Sequence, residues 1–264
     1  MTPLCTPHDD PRTIPVHHST LKRMALSPAH YLHAATHPSE QTRPMRVGSL
    51  VHALVLGGKY ARWPGDRRAK GYAEFEAAAD GYLVVTASEY DDAAPVAEAV
   101  LASKVAAPWL RGRTEVPLEW TIAGRKCATR GIDILGESHI GELKTTHVAA
   151  PHRFTWEAKR MAYHAQLAWY RDAVCEMPLA HWGPHGMCQP TPRDLVIIAV
   201  ETSPPHPVVA YRLTPRAVDM GQRCNALWLE QLRVCEESGE WPGYVQDVVD
   251  LDVEEEVELE FDGD

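Results

Sequence analysis

Nowhere in its 264 residues does the chain contain a run of about 18 consecutive apolar residues, so no segment reads as a membrane-spanning helix. The N-terminal MTPLCTPHDDPRTIP also lacks the apolar stretch of a secretory signal. Cysteine is sparse. Its six residues (Cys5, Cys127, Cys175, Cys188, Cys224, Cys235) lie far apart, which fits reduced thiols better than a disulfide framework. The nearest thing to a metal knuckle, Cys175, His181, His185 and Cys188 in CEMPLAHWGPHGMC, has no standard zinc spacing and the Pro and Gly content of a loop. The expectation is a soluble, cytoplasmic protein with no membrane partner.

An excess of positive charge is missing too, since the formal net charge is −10. Residues 247–264 hold ten of the 36 acids and no Lys or Arg, leaving 26 acids against 26 bases in the rest. A neutral body can still present a local basic groove, so net charge neither supports nor excludes nucleic acid. From Val249 to Phe261 every even position is Asp or Glu and most odd ones are apolar, the period of a strand. Such a strand either blocks aggregation at a sheet edge, adds to a partner's sheet or mimics DNA.

The ordinary balance of 45% hydrophobic and 23% charged residues supports a sizeable core. No internal repeat is present. Residues 1–16 read as a loose lead-in, 17–246 as one domain and 247–264 as an acidic appendage. Ser19 is placed to cap a first helix through Leu21, Met24 and Leu26, and Pro28 to open a second. GSLVHALVL (Gly48–Leu56) predicts a buried helix. Residues 57–82 suggest a loop running into a short helix, and 88–110 a helix interrupted near Pro95. From Thr114 to Thr146 the pattern predicts three strands with turns at Ala123-Gly124 and Gly136–Ser138. A single long helix from Phe154 to Cys175, strands at Leu195–Thr202 and in PVVAYRLT, and a helix from Thr214 to Glu237 complete a mixed α/β (α+β) domain.

Within GIDILGESHIGELKTT, Asp133 precedes Glu142-Leu143-Lys144 on the adjacent strand. Alternate side chains share a face, so Glu142 and Lys144 point one way and Leu143 the other, with Ile132 and Ile134 buried on the face opposite Asp133. Two adjacent carboxylates repel unless a cation lies between them. Hard oxygen ligands, with the Leu143 carbonyl, suit magnesium or manganese. Lys144 can then position a water or stabilise a phosphorane. In RMAYHAQLAWY, Tyr163, Gln166 and Tyr170 line one helical stripe that could steady the lysine or touch a DNA backbone. His52 lies in the apolar GSLVHALVL helix; it is either a hydrogen-bonded core histidine or, beside a metal, a ligand.

Together these motifs resemble the PD-(D/E)XK nuclease superfamily, in the branch of RecE-type exonucleases (the exonuclease VIII catalytic domain) and their phage relatives. HSTLKRMALSPAHYLHA, RVGSLVHALVL, EVPLEW with CATRGIDIL, GELKTT, YHAQLAWY, IIAVETSPPHPVVAYRL and WPGY carry the resemblance. It implies a restriction-endonuclease-like core, a mixed central sheet flanked by helices. It implies that Asp133 and Glu142 hold Mg2+ (Mn2+ substituting) with His52 as third ligand or neighbour, that Lys144 is catalytic, and that Gln166 and Tyr170 support it. Glu115 best matches a further acid of the first strand, with Glu119 competing. Ser19, Lys22, Ser49, Arg130, Thr145, Thr146 and Tyr163 become candidate DNA contacts, although strand-edge solubility explains Arg130 and the threonines equally well.

The implied activity is digestion of linear double-stranded DNA from its ends for recombination or repair, by a ring-shaped homo-oligomer working with a single-strand annealing protein in a bacterial or phage-infected cell. Three readings compete: a structure-specific or single-strand nuclease of the wider RecB group, a catalytically silent DNA-binding module, and a protein in which the hairpin is only structural. The cysteine spacings offer no iron–sulfur set.

Overall fold

The computed structural model describes residues 11–37, 40–176, 193–245 and 247–251. The zinc reading of the Cys175–Cys188 stretch, beyond Cys175 itself, and the strand reading of the acidic tail, beyond Leu251, lie outside them. Element order is β1 (Val16–His17), α1 (His18–Leu21), α2 (Pro28–Thr36), α3 (Arg43–Leu56), β2 (Tyr60–Trp63), α4 (Tyr72–Ala78), β3 (Leu83–Thr86) and α5 (Ala87–Ala102). Then follow β4 (Arg113–Ile122), β5 (Arg125–Leu135), β6 (His139–Thr146), α6 (Pro151–Arg160), α7 (Tyr163–Glu176), β7 (Asp194–Glu201), β8 (Val208–Arg212) and α8 (Pro215–Ser238).

The apolar run of β7 is buried on both faces, as in a strand covered by helices above and below. It pairs in parallel with β6 from His139↔Asp194 to Thr146↔Glu201, while β8 lies antiparallel on its far side. The long β5 serves three neighbours: β4 antiparallel, β1 parallel at Cys127 and Ala128, and β6 antiparallel only at Ile134↔Gly141 and Leu135↔Ile140. The sheet is therefore mixed. Alternation sends Ile140, Leu195 and Ile197 into a core with α7 and α8, and Leu143, Ile198 and Val200 into a second core with α3 and α5. Among the described residues no helix is long and apolar enough to cross a membrane.

Several local expectations are corrected. The first helix begins one residue earlier than Ser19; it is only a four-residue turn, with His17 at its N-cap, because the chain enters it directly from β1. Residues 57–82 contain β2, which pairs in parallel with β3 as a separate two-stranded sheet. Pro95 does not interrupt α5, whose start is fixed by the reciprocal Thr86–Glu89 capping box. The long helix after β6 is two helices, parted where Ala162 takes a left-handed φ of 58°. Ile132 and Ile134 do not share a face: Ile132 joins the α7–α8 core and Ile134 the α3–α5 core. A register shift between Val116 and Leu118 also interrupts the β4–β5 ladder, opposite Thr129 to Ile132.

Candidate functional site

The site lies where β5 and β6 part. Their ladder ends at Ile134↔Gly141, so Leu143, further along β6, has no backbone partner from β5. The Asp133 carboxylate takes its place: Oδ2 accepts from the Leu143 N–H at 2.8 Å. The Leu143 carbonyl faces the His52 ring. Leu143 thus contributes its backbone here while its side chain fills the opposite core.

His52 arrives on α3. That helix crosses β6 at Gly48, where a Cβ would stand 3.1 Å from Thr145 Oγ1, and one turn later it delivers His52 Nδ1 to 3.4 Å from Asp133 Oδ2. The contact is not an ion pair. Burial, then the Lys144 charge, pushes the imidazole pKa down, so the ring is neutral and keeps a lone pair for a metal. Glu115 arrives through backbone strain: its φ is 50°, a region costly for a residue with a side chain. Gly131 makes room for it, since a Cβ there would lie 2.7 Å from Glu115 Oε2. Ligand atoms of His52, Glu115 and Asp133 all fall within 4.8 Å of one another. Glu119 pairs instead opposite Ala128, near His17, so of the two acids it is Glu115 that the strand brings beside Asp133 and His52.

On the α7 side, Lys144 Nζ donates to Glu142 Oε1, and Gln166 Nε2 donates to the same oxygen at 2.8 Å. Gln166 also bonds the Tyr170 hydroxyl at 2.7 Å. The break at Ala162 restarts the helix so that this stripe faces β6. Tyr163, which is buried, lies under the ammonium, its ring centroid 5.0 Å from Lys144 Nζ. It steadies the lysine and is not exposed to a DNA backbone, because Phe154 and the core close around it.

Burial, then the nearby Asp133 charge, raises the Glu142 pKa to about 7 against the pull of Lys144. Burial raises Asp133 likewise to about 7. Burial works against the Lys144 ammonium, but Glu142 and Asp133 outweigh it and its pKa ends above the ordinary value. Tyr170 is pushed well up by burial and then by the two carboxylates, so it is a neutral phenol. The fit to a cation rests on one atom: Glu142 Oε2 is buried with no hydrogen-bond partner. A buried carboxylate oxygen without a donor is costly, and a divalent ion would satisfy it. The donor set of carboxylates, one carbonyl and one imidazole suits a hard ion.

The other sequence candidates are divided. Lys22 is half-buried beside the site; its Nζ lies 3.4 Å from the Met161 carbonyl, and burial, then Lys144, lowers its pKa to about 8. Thr145 and Ser49 are half-buried on the α3 side, although the Ser49 hydroxyl is spent on the Met45 carbonyl. Arg130 and Ser19 are exposed. Thr146 is corrected: it is buried, and its hydroxyl donates to Glu157 Oε2 at 2.7 Å and accepts from Val148 N, which secures the turn into α6 instead of meeting phosphate. Sequence reasoning missed Gly131, whose lack of a Cβ admits Glu115, and had Gly48 only as the glycine of a Gly-x-x-x-His pattern, not as the point where α3 crosses β6.

The model of one protein family, described as a PDDEXK-like domain of unknown function (DUF3799), matches residues 17–249. The chain belongs to this family. As a PDDEXK-like domain it also has the fold of a solved structure from Eubacterium rectale, provisionally described as an exonuclease. The two share 12% identity and a TM-score of 0.60, with 91% of each chain covered. At that identity the likeness concerns fold alone. No curated protein matches the PDDEXK-like chain.

Proposed function

We propose that this PDDEXK-like protein is a Mg2+-dependent nuclease that degrades linear double-stranded DNA from its ends. The observation that carries the reading is the orphaned Glu142 Oε2 on the strand next to Asp133. The Asp133 carboxylate itself clusters with ligand atoms of His52 and Glu115 within 4.8 Å, and the Leu143 carbonyl faces the His52 ring. These five groups would hold the ion. When bound, it supplies Lewis acidity toward a phosphoryl oxygen and makes water a better acid. Lys144, kept charged by Glu142, would donate a hydrogen bond to the water and orient it toward phosphorus. As the new P–O bond forms and the ester P–O bond breaks, the water's proton would leave to solvent and the departing oxygen would be protonated from solvent. Gln166 holds Glu142, and so indirectly the lysine, in that geometry. Tyr163 restricts the ammonium from behind.

Attack from DNA ends draws support from the sequence resemblance and from the exonuclease description of the E. rectale protein. The ring-shaped assembly, the annealing partner and the recombination role rest on the resemblance alone. The test is incubation of linear and closed-circular duplex DNA with the protein in Mg2+ or EDTA, with Lys144→Ala as control. Mg2+-dependent loss of linear DNA only, abolished in a folded Lys144→Ala protein, is the expected result. Cutting of circles would replace the end-directed reading by an endonuclease. Cutting by Lys144→Ala at the wild-type rate would remove the chemistry from this site.

A further inference from the structure

We propose that the outer face of α6, formed by Arg153, Trp156, Lys159 and Arg160, binds an unpaired strand of the DNA substrate beside the scissile phosphate. Trp156 stacks on a base and the cations take the flanking phosphates. The ligand's identity rests on the nuclease reading; the face itself does not.

Helix α6 divides cleanly. Phe154, Glu157 and Ala158 turn inward, with Phe154 fully buried and Glu157 bonded to Thr146. Arg153, Trp156, Lys159 and Arg160, spaced by three and four, form the outward stripe, and all are exposed. Trp156 is 66% exposed, among the largest apolar surfaces left in water, and the Arg160 guanidinium lies 5.3 Å from its ring centroid. Among the described residues no carboxylate comes within ion-pair distance of Arg153, Lys159 or Arg160. In a chain of net charge −10, that local imbalance stands out.

The stripe also continues into the site. Lys22 bonds the Met161 carbonyl, at the C-cap of α6, and feels the charges of Lys144, Arg23 and Arg160. A run of cations thus leads from Lys144, itself paired with Glu142, past Lys22 to the Trp156 ridge, where Arg153, Lys159 and Arg160 have no carboxylate partner among the described residues. The helix dipole favours Lys159 and Arg160 in a last turn, but it accounts neither for Arg153 near the first turn nor for an exposed tryptophan. Cations tracking a backbone beside an aromatic platform suit single-stranded nucleic acid, because only unpaired bases offer a free ring face. Duplex DNA would use the cations and leave the indole idle.

The test is fluorescence anisotropy of the full chain with a short labelled oligonucleotide, single-stranded or as a blunt duplex of the same sequence, in EDTA so that nothing is cut. Trp156→Ala should weaken single-strand binding by roughly 5- to 150-fold and Trp156→Phe by much less, with duplex binding little changed. Arg160→Ala should lower the slope of log affinity against log salt by about 0.7 for the single strand. Single-strand binding by Trp156→Ala equal to wild type, or equal losses for both DNA forms, would overturn the proposal. Because binding is read without cleavage, a protein that cuts no DNA but loses single-strand binding in Trp156→Ala refutes the nuclease reading and keeps this one. The opposite pattern does the reverse.

Discussion

Raising the pH from about 6 to about 8 should tighten Mg2+ binding to the free protein by roughly two orders of magnitude. Asp133 and Glu142 both titrate near 7 because burial penalises their ionised forms, and a metal needs both ionised. Taken as independent groups, the doubly ionised fraction climbs from about 1% to above 80% over that span, about 100-fold, or roughly 3 kcal/mol. The sign in metal-free protein is opposite to that of an ordinary surface carboxylate. Folded-state values raised above the unfolded ones contribute stability at low pH, which is lost as pH rises from about 4 through about 7. Melting curves in EDTA should therefore fall over this range, while curves in Mg2+ hold. The gap between them should widen by about 5–10 °C from pH 6 to pH 8. Calorimetry in buffers of different ionisation enthalpy should count nearly two protons released per ion at about pH 6 and few at about pH 8. A gap that stays constant with pH would refute the reasoning. So would an unchanged proton count in Asp133→Asn or Glu142→Gln.

Gly131→Ala sets a Cβ 2.7 Å from Glu115 Oε2 and 3.2 Å from its Cα, so Glu115 must withdraw. Mg2+ affinity, read by calorimetry, should drop severalfold with about 1–3 kcal/mol of stability. Gly221→Ala would drive a Cβ into the His164 carbonyl, with its carbon at 2.8 Å, where α8 crosses α7. Since Asn225 also bonds Ala165 O there, thermal melts should show a loss of about 1–3 kcal/mol, or roughly 3–10 °C. Gln166→Leu removes the amide from Glu142 and Tyr170; nuclease assays should show kcat reduced at least tenfold with KM for DNA little changed.

The placing of Asp133, Glu142 and Lys144 together was legible because strand alternation and two turn signals fix which side chains of Glu142, Leu143 and Lys144 share a face. Helical spacing did the same for Tyr163, Gln166 and Tyr170, and the apolar Gly48–Leu56 segment did so for α3. What was not legible depends on irregular backbone. Glu115 reaches Asp133 and His52 from a left-handed backbone beside a register shift, and neither has a compositional signature in EVPLEW. Ile132 and Ile134 enter different cores, contrary to simple alternation. Ala162 breaks a helix that propensity would carry through, since Ala is a strong helix former. Parallel pairing of β2 with β3 joins short segments more than twenty residues apart, which local patterns do not report.

The two edges of β6 have separate duties. One is bonded along its whole length to β7, while the other gives up its ladder after two pairs with β5. The strand bearing Glu142 and Lys144 is therefore anchored from a neighbour that carries none of the chemistry. Asp133 and, through β4, Glu115 hang from the opposite side of a fork. The Leu143 N–H to Asp133 bond spans that fork, so a single carboxylate stands in for the missing ladder and ties the two sides together at the point where the acids meet.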